Sequence, residues 1–458
     1  MSETVAGNGV SLLNLVSLFG LLAMLGLAWL MSSYKSRVNW KLVAMGLGLQ
    51  LTLAAVLFQS QNWTFGGQFP DGILFAGVEF FFQQITLYVE EGAGFVFRAN
   101  GIVEGNPTDP MTLVKTFAFG VLPTVIFFAA LMSILYHVGI MTPIIRFMAW
   151  IMQKTLGTSG AESLAAAANV MVGHTEAPLV VRPYIASMTR SELNALMVGG
   201  FATITGSLMA VFVAQGISAG HILTACIISA PAALVVAKIL QPEVDQPETL
   251  GHVKAATEKT ATNVIEAAAI GASDGVKLAL NIAGMLIAFL ALIALANALL
   301  IGLGNLVEMA INPLLDADNQ IDLDWSLNNL FALAFYPLAM IMGIETGDCS
   351  VAGQLLGKKM VVNEFVAYLD LGAIVSEMAA EGGNAPQKIS HRTEIILTYA
   401  LAGFSNFGAI GIQLGGIGPL APNRRSDLAQ LGFRAMLGGM LACCMTACIA
   451  GMLYGLLG

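Results

Sequence analysis

The sequence predicts an all-α polytopic membrane protein with eight transmembrane helices plus two opposed re-entrant hairpins. Of its 458 residues, 57% are hydrophobic and only 11% are charged, whereas soluble domains carry roughly 25% charged residues. Eight apolar runs are long enough to cross a bilayer, and two further apolar stretches are broken by Gly, Pro and charge. The net charge of −9 and the absence of a basic run exclude nucleic acid as an expected partner.

The eight predicted crossings follow from run length, since a helix needs about 20 apolar residues to span the hydrocarbon core. They lie near 10–31, 42–58, 114–136, 191–214, 219–239, 276–303, 393–417 and 429–457. The first lacks the basic flank of a signal peptide and is too long for one, so it is interpreted as a retained span.

The two broken stretches are 142–190 and 326–378. Irregular backbone at membrane depth is tolerated only where it is buried in protein or lines a cavity, so we interpret them as re-entrant hairpins. Two further pairs of ordinary spans remain the alternative.

The distribution of Lys and Arg predicts the orientation. Residues 1–9 carry none, while Lys35, Arg37 and Lys41 follow the first span, so both termini should face outward. Alternating sides from there places 14 of the 20 basic residues inside and six outside. The polar stretch 241–275 is then cytoplasmic, and the acidic stretch 316–324 is external.

Three predicted crossings, an odd number, separate the two hairpins. The hairpins should therefore enter the membrane from opposite faces. Each hairpin is followed by a glycine-interrupted apolar segment, Gly199–Gly206 and Gly403–Gly411. Paired broken segments of this kind indicate an inverted repeat whose tips meet at a solute site near the midplane.

This symmetry predicts four regions along the chain. They are scaffold spans with an interfacial helix (1–141), a first transport repeat (142–240), a connection with a scaffold span (241–325) and a second transport repeat (326–458).

The first tip holds polar groups beside freed backbone. Pro178 ends the local helix and Gly173 frees the chain, while His174, Thr175 and Glu176 offer a ring, a hydroxyl and a carboxylate. A charged side chain at this depth costs at least about 2.5–3.5 kcal/mol, which favours a role in binding or transport.

The second tip carries Glu364, whose carboxylate can accept two hydroxyl hydrogen bonds and so suits vicinal ribose hydroxyls. Beyond it, Asn406 offers a donor and an acceptor, and Phe404 an apolar face. Lone Asn and Phe residues in membrane helices usually serve packing, so these two depend on the flanking glycines.

Each carboxylate also has a purely structural interpretation. Glu176 could be a buried partner of Arg182, and Glu364 could form an ion pair with Lys358 or Lys359.

A cation site is indicated next to the first tip. Asn169 precedes the tip and Thr203 lies on the following broken segment, with the carbonyls of Val172 and Ile204 as further candidates. Amide, hydroxyl and carbonyl oxygens form the hard ligand set that suits Na⁺.

Four motifs resemble the concentrative nucleoside transporter family, in the family's order and from about residue 110 to the end. They are Asn169-x-x-x-Gly173-x-Thr175-Glu176-Ala177-Pro178-Leu179, Gly200-Phe201-Ala202-Thr203-Ile204-x-Gly206-Ser207, Asn363-Glu364-Phe365-Val366-Ala367-Tyr368 and Gly403-Phe404-x-Asn406-Phe407. The resemblance implies a bacterial-type homotrimer in the plasma (inner) membrane. It also implies uptake of ribonucleosides, with deoxynucleosides as further substrates, coupled to Na⁺ or in some members to H⁺.

The resemblance further implies roles for individual residues. The first tip, with Gly173, would face the nucleobase through His174, Thr175 and Glu176. The ribose would be held by Glu364 and Asn406, with apolar contacts from Leu208 and Phe404. The coupling ion would be bound by Asn169, Val172, Thr203 and Ile204; all these ligands are present, which favours Na⁺ over H⁺.

Two positions depart from the family's pattern. His174 stands where the family usually has Gln, which changes the donors and acceptors offered to the base. Ala409 stands where a serine usually helps to hold the ribose, a hydroxyl contact worth about 0.5–1.5 kcal/mol.

Two other classes of function remain as rivals. An intramembrane enzyme could use Glu176 and Glu364 as an acid/base pair, but the sequence shows no metal or nucleophile motif to support it. A passive channel is the second rival. The five cysteines form no disulfide framework and no Cys-x-x-Cys spacing, so a packing role is expected for them.

Overall fold

The architecture was analysed in a computed structural model that describes residues 11–62, 72–97, 118–119, 122–174, 176–250, 261–312, 323–381 and 388–456. These residues form helices and loops and contain no β-strand. The helices are α1 (Leu12–Leu30), α2 (Trp40–Gln59), α3 (Ile73–Phe97), α4 (Leu122–Val138), α5 (Met141–Leu156), α6 (Gly160–Val172), α7 (Ala177–Val180), α8 (Arg182–Ile185), α9 (Arg190–Ala202), α10 (Gly206–Ala214), α11 (Ala219–Leu240), α12 (Val264–Ile311), α13 (Leu327–Ile341), α14 (Cys349–Val361), α15 (Glu364–Glu381), α16 (His391–Leu401), α17 (Phe407–Ile417) and α18 (Arg425–Leu453).

The all-α polytopic fold is confirmed, and the two halves of the chain share one order of elements. α5, α6, the pair α7–α8, the broken pair α9–α10 and α11 are followed later by α13, α14, α15, the broken pair α16–α17 and α18. Both first hairpin arms, α6 and α14, have 13 residues. Helices α11 and α18 form the core, with α2 against α11 and α1 against α18.

The predicted crossings need refinement at several places. Six described helices are long and apolar enough to span a membrane, and the predicted spans 191–214 and 393–417 are each two helices separated by a break. One of the six, α3, was not predicted, because Glu79, Glu90 and Glu91 lower its mean hydropathy. Helix α5 lies at the start of the predicted hairpin 142–190, but it forms a bent pair with α4, at an angle of 81°. The hairpin therefore begins after α5.

The C-terminal end of the predicted connection 241–275 is helical. Helix α12 begins at Val264, capped by the Asn263 side chain, and runs for 48 residues to Ile311. This start was missed because Glu266, Gly271, Asp274 and Gly275 interrupt its apolar residues and so weaken the periodicity by which a helix is recognised in sequence. The helix packs on α4 and leaves most of its apolar surface exposed, as expected for contact with lipid or partner subunits.

The base of the first hairpin is held by two linked capping boxes. Ser159 with Glu162 caps α6, Thr189 with Glu192 caps α9, and the Ser159 hydroxyl donates to the Glu192 carboxylate at 2.5 Å. Lys238 of α11 completes the cluster with an ion pair to Glu162 at 2.7 Å. The arm α6 is therefore fixed to α9 and α11, and only its far end is free to form a tip.

The base of the second hairpin is held by a different buried cation. Arg392, at the start of α16, donates from Nε to the Gly343 carbonyl at 2.9 Å. Its two other nitrogens donate to Asn14 at 2.8 Å and Ser17 at 3.0 Å, both in or next to α1. Each hairpin thus starts from a rigid base.

Candidate functional site

The first tip (residues 173–176) forms where α6 ends. Gly173 has φ +86°, a left-handed conformation that only glycine adopts without cost, and its amide donates to the Asn169 carbonyl at 3.2 Å. His174 follows and is buried, and neither of its ring nitrogens has a hydrogen-bond partner among the described residues. Thr175 lies outside the described residues.

A Gly173→Ala substitution should lower the melting temperature of the protein. It adds a left-handed backbone penalty of about 1–2 kcal/mol, and its Cβ would lie 2.1 Å from Cγ2 of Thr205. Gly139→Ala is the matched control, because Gly139 has φ +88° but no atom within 4 Å of the added Cβ. Thermal unfolding should rank wild type above Gly139→Ala and Gly139→Ala above Gly173→Ala; equal melting of the two variants would remove the packing argument.

Glu176 is exposed, and its carboxylate lies within electrostatic range of Tyr136 of α4 and Asp274 of α12. The structural interpretation of Glu176 as a partner of Arg182 finds no support, since the ion pairs of the described residues do not include these two. Its carboxylate is therefore available at the boundary between the first tip and the α4–α12 pair.

The second tip (residues 362–364) positions Glu364 as the first residue of α15. The Asn363 side chain caps this helix by accepting from the Val366 amide at 2.9 Å, and a helix N-terminus stabilises a carboxylate. Lys358 pairs with Asp370 at 2.6 Å, and Lys359 donates to the Ala400 carbonyl at 2.7 Å. Neither lysine forms an ion pair with Glu364.

The second break (residues 402–406) brings Asn406 to Glu364. Asn406 caps α17 by accepting from the Ala409 amide at 2.8 Å, and its Nδ2 donates to Glu364 at 3.0 Å. Ala409 therefore contributes its backbone amide to the cap, while its buried methyl group offers no hydroxyl. Phe404 lies in the same break and is buried.

The two repeats meet at His174 and Phe404. Their ring centroids are 4.3 Å apart at an interplanar angle of 64°. The second break also touches the end of α9, since a Cβ at Gly403 would lie 2.7 Å from the carbonyl oxygen of Phe201. The structure thus brings residues 230 positions apart into one site.

The predicted cation ligands lie on the first break (residues 203–205) and the end of α6. Thr203 donates its hydroxyl to the Gly199 carbonyl at 3.0 Å, and a Cβ at Gly199 would lie 3.1 Å from Nδ2 of Asn169. The Asn169 Oδ1 atom is buried and accepts no hydrogen bond from the described residues. Val172 and Ile204 are also buried. An unsatisfied buried amide oxygen is costly unless a cation or water completes it.

Leu208, in the first turn of α10, is buried. Its amide donates to the Thr205 side chain at 3.3 Å, so the second half of the broken helix is capped in the same way as α17. Leu208 is thereby placed just beyond the first break.

Two residues of the site were not predicted as such. Gln413 of α17 is buried, and a Cβ at Gly200 would lie 2.6 Å from its Nε2 and 2.7 Å from the Cβ of His174. Cys443 of α18 contacts the carbonyls of both Ala202 and Ala402, at 3.7 and 3.6 Å. The available signal for Gln413 was a glutamine within an apolar run. Nothing in the sequence distinguished Cys443 from a packing cysteine.

Three family models match the chain. They are described as the Na⁺ dependent nucleoside transporter N-terminus (residues 19–100), nucleoside recognition (118–219) and the Na⁺ dependent nucleoside transporter C-terminus (221–451).

Curated relatives and solved structures are similar over nearly the whole chain. The rat sodium/nucleoside cotransporter 1 is 40% identical over 96% of this chain, which spans 64% of that relative's length. An uncharacterized transporter of Haemophilus influenzae is 39% identical, with 96% and 98% of the two chains covered. CNTnw in an inward-facing substrate-bound state is 35% identical, covers 97% and 99% of the two chains, and has a TM-score of 0.83. A CNTnw variant in an outward-facing state has a TM-score of 0.82 at 34% identity, with 98% and 99% covered.

Proposed function

Because the chain belongs to the concentrative nucleoside transporter family, we propose that it is a secondary active symporter that takes nucleosides into the cell, driven by a sodium gradient. The observation that carries this proposal is the contact of the two repeats at His174 and Phe404, whose ring centroids are 4.3 Å apart. Asn406, two residues after Phe404, donates a hydrogen bond to Glu364 at 3.0 Å. An enzyme is set aside, since the family is one of transporters.

The nucleoside would bridge both repeats. The base lies at the first tip, against His174 and Phe404, where the free ring nitrogens of His174 supply hydrogen bonds and Phe404 supplies a face for stacking. Leu208 adds an apolar contact. The ribose hydroxyls bond to Glu364 and Asn406, while Gly173, Thr175 and Glu176 complete the first tip. Because Ala409 lacks a hydroxyl, discrimination at the sugar is expected to be looser, and deoxynucleosides are included among the substrates.

The coupling ion would be Na⁺, held by the side chains of Asn169 and Thr203 and the carbonyls of Val172 and Ile204. The unsatisfied Oδ1 of Asn169 supports a cation at this place. H⁺ coupling is the alternative, but a proton-coupled transporter would not need this set of oxygen ligands.

Transport would follow alternating access. Na⁺ binds first and orders the first tip, the nucleoside then joins the two tips, and the transport repeats (142–240 and 326–458) move elevator-like against the scaffold regions (1–141 and 241–325). The inward-facing and outward-facing structures of CNTnw support a movement between two such states.

The assembly would be a homotrimer in the plasma (inner) membrane, with both termini outside. The exposed apolar surface of α12 supports its burial against lipid and partner subunits.

Uptake of radiolabelled uridine and adenosine into proteoliposomes tests the proposal. An inward Na⁺ gradient should drive accumulation above the external concentration, which a passive channel cannot do, and the nucleoside should be recovered unchanged, which an enzyme would not allow. Equal uptake with and without the gradient would refute Na⁺ coupling.

A His174→Gln substitution should reorder the preference among nucleosides. Gln supplies a donor and an acceptor on one flexible amide, whereas neutral His presents one of each on a rigid ring, and each hydrogen bond gained or lost is worth about 0.5–1.5 kcal/mol. Competition of five unlabelled nucleosides against labelled uridine measures the order. His391→Gln, whose side chain is 67% exposed, is the control; an unchanged order in His174→Gln would place selectivity elsewhere.

A further inference from the structure

Helix α5 lies nearly at right angles to α4. The chain turns at Gly139, whose φ of +88° is left-handed, and the axes of the two helices make an angle of 81°. Helix α4 belongs to the predicted crossing 114–136 and packs along α12, which is long and apolar enough to span a membrane. An arm at right angles to a crossing helix runs along the membrane surface, so α5 is oriented in the plane of the bilayer.

The two faces of α5 have different surroundings. The helix packs on α6 and α2, and its buried residues are Met141, Ile145, Ala149, Met152 and Leu156. The opposite face is exposed but still apolar. Phe147 and Trp150 on this face are 62% and 57% exposed, and their ring centroids are 6.3 Å apart. Exposed aromatic side chains on a helix in this orientation enter the boundary between lipid headgroups and acyl chains.

The exposed face also carries two basic side chains. Arg146 and Lys154 are exposed, and the ion pairs of the described residues include neither of them. Trp150 lies four residues after Arg146 and four before Lys154, so the three side chains share one face of the helix. Long basic side chains on such a face keep their apolar stems beside the acyl chains and extend their charges toward the headgroups.

The sequence around these two cations is free of acidic residues. The segments 11–62 and 122–156 contain five Lys or Arg and no Asp or Glu. The two segments meet, since a Cβ at Gly46 of α2 would lie 3.5 Å from Cδ2 of Leu156, the last residue of α5. Lys41, exposed in the first turn of α2, therefore lies on the same side of the membrane as Lys154. A second copy of this face would bring like charges together, whereas an anionic surface is complementary to it.

We propose that the exposed face of α5 binds anionic phospholipid headgroups, in the leaflet that faces the cytoplasm in the predicted orientation. Phe147 and Trp150 enter the edge of the acyl region, while Arg146 and Lys154 bind lipid phosphate oxygens. Basic residues next to a membrane are attracted to the negative surface potential of this leaflet. Because α5 packs on α6, whose far end forms the first tip, the bound lipid contacts the helix that supports this arm.

Quenching of Trp150 fluorescence by brominated lipids tests the proposal. The other tryptophans are replaced by Phe in the probe protein; they are Trp29, Trp40, Trp63 and Trp325. The protein is reconstituted in phosphatidylcholine that contains either dibrominated phosphatidylglycerol or dibrominated phosphatidylcholine. Each Lys or Arg near an anionic surface is worth about fivefold in affinity, so phosphatidylglycerol should be preferred at Trp150 by at least about fivefold.

Charge variants show whether the two cations cause this preference. Arg146→Gln/Lys154→Gln should remove it, and Arg146→Lys/Lys154→Arg should retain it. Lys277→Gln is the matched control, because Lys277 is an exposed cation of α12 that already pairs with Asp274 at 2.9 Å. This control should leave the preference unchanged.

Native mass spectrometry gives a second readout that needs no tryptophan replacement. The protein should retain more phosphatidylglycerol than phosphatidylcholine, and Arg146→Gln/Lys154→Gln should reduce this difference. Equal quenching of Trp150 by the two lipids would overturn the proposal, as would a preference that survives in Arg146→Gln/Lys154→Gln. Absence of quenching by either lipid would also overturn it, because Trp150 would then be covered by protein, such as a second copy of the chain.

Discussion

A Glu364→Gln variant will bind uridine at least about 100-fold more weakly than wild type and will lose measurable uptake. The carboxylate can accept two ribose hydroxyls while holding Asn406 at 3.0 Å, whereas an amide retains one acceptor oxygen. Hydrogen bonds to a charged group are each worth about 1.5–3 kcal/mol, and each 1.4 kcal/mol corresponds to a tenfold change in affinity. Equilibrium binding of labelled uridine to purified protein in saturating Na⁺ measures the change.

Asp370→Asn is the matched control, because Asp370 lies on the same helix α15 but pairs with Lys358 on a partly exposed face. Surface ion pairs contribute about 0–1 kcal/mol, so this variant should bind uridine with nearly wild-type affinity. If both variants weaken binding equally, the loss reflects damage to α15. If Glu364→Gln binds like wild type, Glu364 does not hold the ribose.

The second large effect is expected from Asn169→Ala, which should abolish the stimulation of uptake by Na⁺. The variant removes a buried side-chain oxygen of α6, close to the first tip in the chain, that lacks a donor among the described residues. Coupling between cation and substrate of about 1–3 kcal/mol corresponds to roughly 5- to 150-fold in substrate affinity. Uridine affinity in saturating Na⁺ should therefore fall to the value that wild type shows without Na⁺.

Asn194→Ala separates this effect from a loss of stability. Asn194 of α9 is also a buried amide whose Oδ1 lacks a donor among the described residues, but its Nδ2 donates to the Ala237 carbonyl at 3.1 Å and it lies outside the proposed ligand set. Its variant should melt at a lower temperature and still respond to Na⁺. If Asn169→Ala is still stimulated by Na⁺, the coupling ion binds at another site. If neither protein responds to Na⁺, the coupling ion is H⁺.

The fold class and the two tips could be predicted from sequence because their causes are local. Gly173 and Pro178 interrupt an apolar run, and Glu364 follows a capping Asn363, so each irregularity is visible within a few residues. The contact of the two repeats at His174 and Phe404 was expected from parity, since paired broken segments of opposite topology indicate an inverted repeat whose halves meet at a solute site. The site at Glu364, Asn406 and Phe404 was predicted for the same reason.

Other features depend on contacts between distant parts of the chain and were not predictable. The choice of Lys359 for a carbonyl instead of Glu364 depends on where α16 ends. The position of Cys443 between two helix ends is set by the packing of α18, which no local pattern reveals. The length of α12 was missed because acidic residues and glycines interrupt its apolar start, which then resembles a loop when only hydropathy is considered.

The most direct test of the central claim is a structure of the protein determined by electron cryo-microscopy with uridine and Na⁺ bound. The account predicts one nucleoside between the repeats, its base against His174 and Phe404 and its ribose hydroxyls within hydrogen-bonding distance of Glu364. Nucleoside density elsewhere, such as the cavity lined by Phe58, His221, His391 and Tyr454, would contradict it.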